Sequence, residues 1–214
     1  MIISRGRRYI FVHIPKTGGT AMAMALEGRA MKDDVLIGDT PKAQRRKARL
    51  KHLQTTGRLW KHSTLSDIDG IVQAHELKEL YNFTLVRNPW DRLVSYYHWL
   101  QGQTFDHQAV KLAQQLDFSA FLNASPIRHS LRAQPYRQYM TASDGIEYCN
   151  AYVRLEHLEQ DLASVWTHLG FKLDIPVANT SERRRDYRFY YSNEDTDLVA
   201  RICSRDIAQF GYQF

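Results

Sequence analysis

The stretch from Tyr9 to Glu27 constrains this chain more than any other. Tyr9-Ile-Phe-Val-His-Ile14 is short, β-branched and aromatic, the composition of a buried strand. It runs into Pro15-Lys-Thr-Gly-Gly19, then Thr20 and Ala21-Met-Ala-Met-Ala-Leu-Glu27, a run of strong helix formers. Strand, glycine turn and helix in that order open an α/β unit of the nucleotide-binding kind. Two glycines let the backbone turn tightly, so successive N–H groups can converge on an anion. The unpaired N–H groups and dipole of the following helix add to that field. Lys16 brings an ammonium, and Thr17 and Thr20 bring hydroxyl donors. The competing reading is a plain glycine turn with a surface lysine.

A Walker A loop needs a glycine directly before its lysine and another five places earlier. Here Pro15 and Phe11 hold those positions, and the glycines follow the lysine. The loop is therefore not built to wrap a triphosphate with its magnesium.

The rest of the chain repeats the alternation. Phe83-Thr-Leu-Val86 reads as a strand leading into Arg87-Asn88-Pro89. Asn88 suits a helix N-cap, Pro89 the first helical position, and Asp91 the positive end of the dipole, with the helix running to about Leu100. A third strand is expected at Ala151–Arg154, followed by a helix through Glu159 to Leu169 that Gly170 stops. Ser192, with Asp195 three residues on, begins a last helix carrying Leu198, Val199, Ile202 and Ile207 and ending near Gly211. Between these, a helix is expected between Pro41 and Leu53, and Ser63 or Thr64 caps a short turn with Asp67. The expectation is an α/β fold over residues 1–214: one domain with a central, mostly parallel sheet covered by helices on both faces. Ligands of such sheets bind beyond the carboxyl ends of the strands, where both the Lys16 loop and Arg87 fall.

With 214 residues, 43% hydrophobic and 24% charged, the chain buries a sizeable core without metal or disulfide. Its two cysteines, Cys149 and Cys203, form no CxxC or Cys/His cluster, which excludes a structural zinc site and a disulfide scaffold. No apolar run approaches the roughly 20 residues of a transmembrane helix, and the N-terminus is a poor signal peptide, so a cytoplasmic location is expected. The formal charge of +6 is concentrated. From Thr40 to Ser66 there are eight basic residues and no acidic one, while acidic residues slightly outnumber basic ones elsewhere. That segment is either a solvated basic face or an electropositive rim beside an anion site. No zinc-finger, RNP or heptad pattern accompanies it, so a nucleic-acid partner is not expected.

Phe11-Val-His-Ile-Pro-Lys-Thr-Gly-Gly-Thr20 resembles the 5′-phosphosulfate loop of sulfotransferases, in the branch related to carbohydrate (heparan sulfate) 2-O-sulfotransferases. Val86-Arg-Asn-Pro-Trp-Asp-Arg-Leu-Val-Ser95 is similar to that branch's 3′-phosphate motif. Asn179-Thr-Ser181, Tyr190–Asp195 and Phe210–Phe214 resemble its ending. The resemblance spans residues 9 to 214, with 42–59 and 101–147 unmatched. It implies a P-loop-like α/β fold and 3′-phosphoadenosine-5′-phosphosulfate as sulfuryl donor; a sulfuryl group carries less negative charge than a terminal phosphoryl and the sequence shows no carboxylate cluster, so no metal is expected. By position, Lys16, Thr17, Gly18, Gly19 and Thr20 hold the 5′-phosphosulfate, and Arg87 and Ser95 the 3′-phosphate. The competing reading for Arg87 is a salt bridge with Asp91, and for Ser95 a simple helix serine. One of Arg183, Arg184 and Arg185 is expected near the 3′-phosphate.

Sulfuryl transfer is an in-line displacement governed by positioning and charge stabilisation. Lys16 is assigned to the oxygen bridging sulfur and phosphorus, where charge grows as the nucleotide leaves. Of nine histidines, His62 lies about where the related enzymes keep their catalytic base, the competing reading being a surface histidine in a basic segment. His75 is the second choice, His13 reads as a packed strand residue, and Lys61 is an assistant at the sulfuryl oxygens. Tyr96, Tyr97, Trp99, Tyr136 and Tyr139 read as core, or else as an acceptor or adenine pocket. The acceptor stays open between a saccharide and a smaller molecule such as a nucleotide-sugar, glycolipid or aminolipid head group, which leaves room for peripheral membrane contact. The rival functions are an ATP-dependent small-molecule kinase and a non-enzymatic polyanion-binding module.

Overall fold

In the computed structural model, which describes residues 1–176 and 183–214, the first hydrophobic run becomes the centre of a sheet. In chain order the elements are β1 (Ile2–Ser4), β2 (Tyr9–Val12), α1 (Gly19–Gly28), β3 (Val35–Leu36), α2 (Pro41–Arg46), α3 (Ala74–Glu79), β4 (Tyr81–Val86), α4 (Pro89–Gln101), α5 (Gln108–Gln115), α6 (Phe118–Asn123), α7 (Ser125–Ala133), α8 (Tyr136–Tyr139), β5 (Ala151–Arg154), α9 (Leu158–Asp161), α10 (Ala163–Leu169), α11 (Asn193–Ile202) and α12 (Ser204–Phe210). They fall into two compact units, residues 1–86 with 136–176 and residues 87–135 with 183–214. Among the described residues no helix is long and apolar enough to cross a membrane.

The first unit holds the whole sheet, in the order β3-β1-β2-β4-β5. β2 pairs with β4 and β4 with β5 in parallel, while β1 is antiparallel to both β2 and β3. Four strands therefore point one way and β1 the other, giving a mixed, mostly parallel sheet. Every residue of β2 and the last five of β4 are buried, so neither strand alternates and both faces at the sheet centre are covered. Tyr9, Phe11, Phe83, Leu85 and Val153 join Met22, Ala23 and Leu26 of α1 in one core. Inside the sheet, the Thr84 hydroxyl donates to the Val12 carbonyl at 2.8 Å.

β1 and β3 have no counterpart among the strands expected from sequence, because segments of three and two residues carry no readable period. β2 ends two residues before Ile14, where the chain turns toward Lys16. The basic segment starts a helix, α2, whose N-cap Thr40 accepts the Ala43 N–H, but continues as a 3₁₀ turn over Lys47–His52. Thr64, not Ser63, pairs with Asp67: each backbone N–H donates to the other's side chain, at 2.8 and 3.2 Å. The expected helix up to Leu169 comes as α9 and α10, and Gly170 (φ 76°) stops it.

The second unit is helical. Asn88 accepts the Trp90 N–H at 3.0 Å and starts α4, with Pro89 at the expected first position. Trp90, Leu93, Val94, Tyr97 and Leu100 form one face of α4 and pack on Phe118, Phe121, Leu122, Ile127, Leu198 and Val199. Ser192 caps α11 by accepting the Asp195 N–H. The buried Asp195 carboxylate accepts from Ser119, Asn123 and Ser192, so its oxygens are satisfied without a cation. The single last helix expected from sequence is two, α11 and α12, with a corner at Cys203 and the anticipated stop at Gly211.

Candidate active site

Lys16 stands at the centre of the loop between β2 and α1, with φ of 65°, in the left-handed region that costs a non-glycine residue roughly 1 kcal/mol or more. Gly18 follows at φ 85° as the residue before the helix, and a Cβ there would also meet Leu155 Cδ1 at 2.9 Å. Left-handed residues set within such a turn gather backbone N–H groups on one side. The ten-residue α1 starts there, and no acidic side chain sits in its first turn to offset its dipole. Thr17 is fully buried and its hydroxyl donates to the Ile14 carbonyl at 2.9 Å, closing the loop from within. Of the two loop threonines, Thr20 is the one left part-exposed.

Gly19 is required for a different reason. A Cβ at this position would lie against the His13 ring, with Nε2 at 2.6 Å. Gly19→Ala is expected to destabilise the protein by about 1–3 kcal/mol, as overpacking does, read as a lowered melting temperature. His13 is buried, stacked beside Phe11 and edge-on to His62 at 4.6 Å between ring centroids. Burial, then the cationic neighbours, holds its imidazole well below the ordinary pKa.

His62 joins this group from 49 residues away: its Nδ1 lies 2.7 Å from the His13 carbonyl oxygen. A carbonyl can only accept, so Nδ1 carries the proton and the neutral ring's lone pair is on Nε2. Burial lowers the His62 pKa from 6.5 to about 3, against the upward pull of that hydrogen bond. The ring is thus neutral across the physiological range, in the tautomer that accepts a proton at Nε2. Trp60, largely exposed, sits edge-on to it at 5.0 Å, and Lys61 pairs with Asp39 at 2.6 Å. His75 lies on the short helix α3.

A second cationic cluster lies in the helical unit. Arg87, the residue after β4, donates through Nε and Nη2 to Asp91 Oδ2 at 2.9 and 2.7 Å. Arg183 Nη2 donates to Asp91 Oδ1 at 2.6 Å. The salt bridge that competed with the phosphate reading for Arg87 is formed, and it recruits a second guanidinium. Of the three consecutive arginines, Arg183 is the one turned in; Arg184 lies over the Phe189 ring. Ser95 is buried on α4, one turn on from Asp91 and on the same side of the helix, since positions four apart share a helix face. Sequence reasoning missed His13 as the anchor of His62 and Asp91 as a joint between two arginines, because both depend on pairings between residues far apart in the chain.

Tyr97, Tyr136 and Tyr139 are buried, as the core reading had it, and Tyr96 and Trp99 stack on each other at 6.2 Å against the helical core. Asn179-Thr-Ser181 lies outside the described residues. Both cysteines are free, and burial pushes each thiol up to about 12. Among the described residues no three His, Cys, Asp or Glu side chains gather as a metal site.

A sequence profile of the sulfotransferase family matches residues 1–213, and the chain belongs to that family. The crystal structure of mouse sulfotransferase SULT7A1 complexed with PAP resembles it at a TM-score of 0.53 and 14% identity, over 95% of this chain and 85% of that one. At that identity the likeness shows the fold, an α/β fold shared with a sulfotransferase. No curated protein sequence matches the chain.

Proposed function

We propose that the protein transfers the sulfuryl group of 3′-phosphoadenosine-5′-phosphosulfate to a hydroxyl, or an amine, of a saccharide, glycolipid or aminolipid-type acceptor. The observation that carries this reading is the Lys16 loop: a left-handed lysine and glycine delivering the chain onto a helix start without acids, in a chain that matches the sulfotransferase family over residues 1–213. That single match across both units supports treating residues 1–214 as one catalytic domain. The two free thiols are in keeping with a reducing cytoplasm.

In this reading the loop N–H groups, Lys16 and Thr20 hold the 5′-phosphosulfate, and Arg87, Ser95 and Arg183 the 3′-phosphate. Gly18, Gly19 and Thr17 shape the loop that does the holding. His62 Nε2 takes the acceptor proton as the acceptor oxygen or nitrogen bonds to sulfur. The bond between sulfur and the bridging oxygen breaks, and Lys16 stabilises the charge left on that oxygen. The cationic groups supply the charge stabilisation without assigning a step to a metal.

The test is ligand stabilisation. Adenosine 3′,5′-bisphosphate is expected to raise the melting temperature, by the equivalent of about 2.7 kcal/mol at a hundred times its dissociation constant. ATP with magnesium and a single-stranded oligonucleotide are expected to leave it unchanged; stabilisation by either alone sinks the reading. Arg87→Ala is expected to weaken bisphosphate binding about tenfold or more, the usual cost of removing a charge-assisted contact to phosphate. Binding at the wild-type level in that variant removes the 3′-phosphate assignment.

A further inference from the structure

We propose that Asp91 is a positioning residue, the group that holds Arg87 and Arg183 beside each other and so sets the preference for a 3′-phosphorylated nucleotide. The inference rests on the donor reading above and assigns a role that reading does not contain. Asp91 divides its two oxygens: Oδ2 takes both N–H groups of one edge of Arg87, and Oδ1 takes Nη2 of Arg183. The side chains of Arg87, Asp91 and Arg183 are 14%, 20% and 9% exposed. Two guanidiniums so far out of water repel one another and have lost most of their hydration, so they stay adjacent only with a counter-charge between them.

The geometry also decides direction. The guanidinium is planar, and engaging its Nε–Nη2 edge fixes that plane and turns the Nη1 corner away from the carboxylate. Arg183 comes from 92 positions along the chain, and Asp91 is what ties it to the start of α4. Asp91 lies in the first turn of α4, and Ser95 is buried one turn further along the same helix face.

The rival view makes the carboxylate a stand-in that occupies the phosphate's place and competes with it. Repulsion between a carboxylate and a phosphate dianion speaks for the rival. Desolvation speaks against it: with the carboxylate gone, two buried guanidiniums lose their shared partner and move apart, so the incoming phosphate must reassemble them. At this degree of burial we take the second effect to be larger.

The experiment compares adenosine 3′,5′-bisphosphate with adenosine 5′-monophosphate by calorimetry on the full chain, in wild type, Asp91→Asn and Arg183→Gln. Wild type is expected to prefer the bisphosphate. Both variants are expected to lose about tenfold or more of that preference, with 5′-monophosphate affinity held within about twofold. A general loss of folding lowers both affinities together, so the ratio separates positioning from bulk damage. A wild-type ratio retained in Asp91→Asn overturns the proposal, as does tighter bisphosphate binding in that variant, which makes the carboxylate a competitor. Should Asp91→Asn fail to fold, an unchanged ratio in Arg183→Gln overturns it. A wild type that binds the two nucleotides alike sinks the donor reading as well.

Discussion

Lys16→Ala is expected to cut sulfuryl transfer about a hundred- to a thousandfold while leaving the melting temperature nearly unchanged. The magnitude is that of removing one donor aimed at developing negative charge. The stability half follows from the backbone. Lys16 already holds φ of 65°, and alanine keeps the Cβ that makes this conformation costly, so the strain is the same before and after. The lost activity then belongs to the ammonium. Steady-state turnover and a melting curve on the same preparation check both halves. A variant that transfers sulfuryl groups at the wild-type rate would remove Lys16 from the chemistry, and a variant that melts well below wild type would give the lysine a structural role instead.

His62→Ala is expected to lower kcat by about a hundred- to ten-thousandfold, the usual contribution of a positioned base. The pH dependence is the sharper part. With the native pKa near 3 against an ordinary 6.5, the ring stays neutral well into acid, so the acid limb of kcat should lie below pH 6.5 and not at it. Stability carries the same signature. Between pH 6.5 and 3 the unfolded chain protonates this histidine and the native one does not, so the native state loses stability as pH falls through that window. His62→Ala should therefore melt with a shallower acid decline than wild type. An acid limb of kcat at 6.5 with parallel stability curves would show the imidazole to be solvated, and wild-type kcat in His62→Ala would show the base to be another group.

Much of the architecture could be read from residue order. Tyr9–Val12 with its glycine turn, Asn88-Pro89 ahead of an apolar stripe, and Gly170 and Gly211 as stops are local signals, and each became the element they specify. β1 and β3 escaped because they are too short to show a period, and the β1–β2 turn runs through Arg5–Arg8, with Arg8 at φ 56° in place of a glycine. The stretch between Gln101 and Glu147 lay outside the motifs that carry the resemblance, yet its Val110, Ala113, Phe118, Phe121 and Ile127 are buried in the helical core. At the site, the loop and Arg87 stood out because their residue types carry the chemistry. The burial of Thr17, the carbonyl that anchors His62 and the inward turn of Arg183 arise only from packing between distant segments, which no local spacing encodes.

His13 serves two neighbours at once. Its ring lies against the Cα of Gly19, and its carbonyl oxygen holds the Nδ1 proton of His62. A residue that shoulders the anion loop thus also aims the base. Positions 13, 19 and 62 should accordingly show strong epistasis: changes at any two of them should combine far from additively, and lineages that vary one should be found to have varied the others in step.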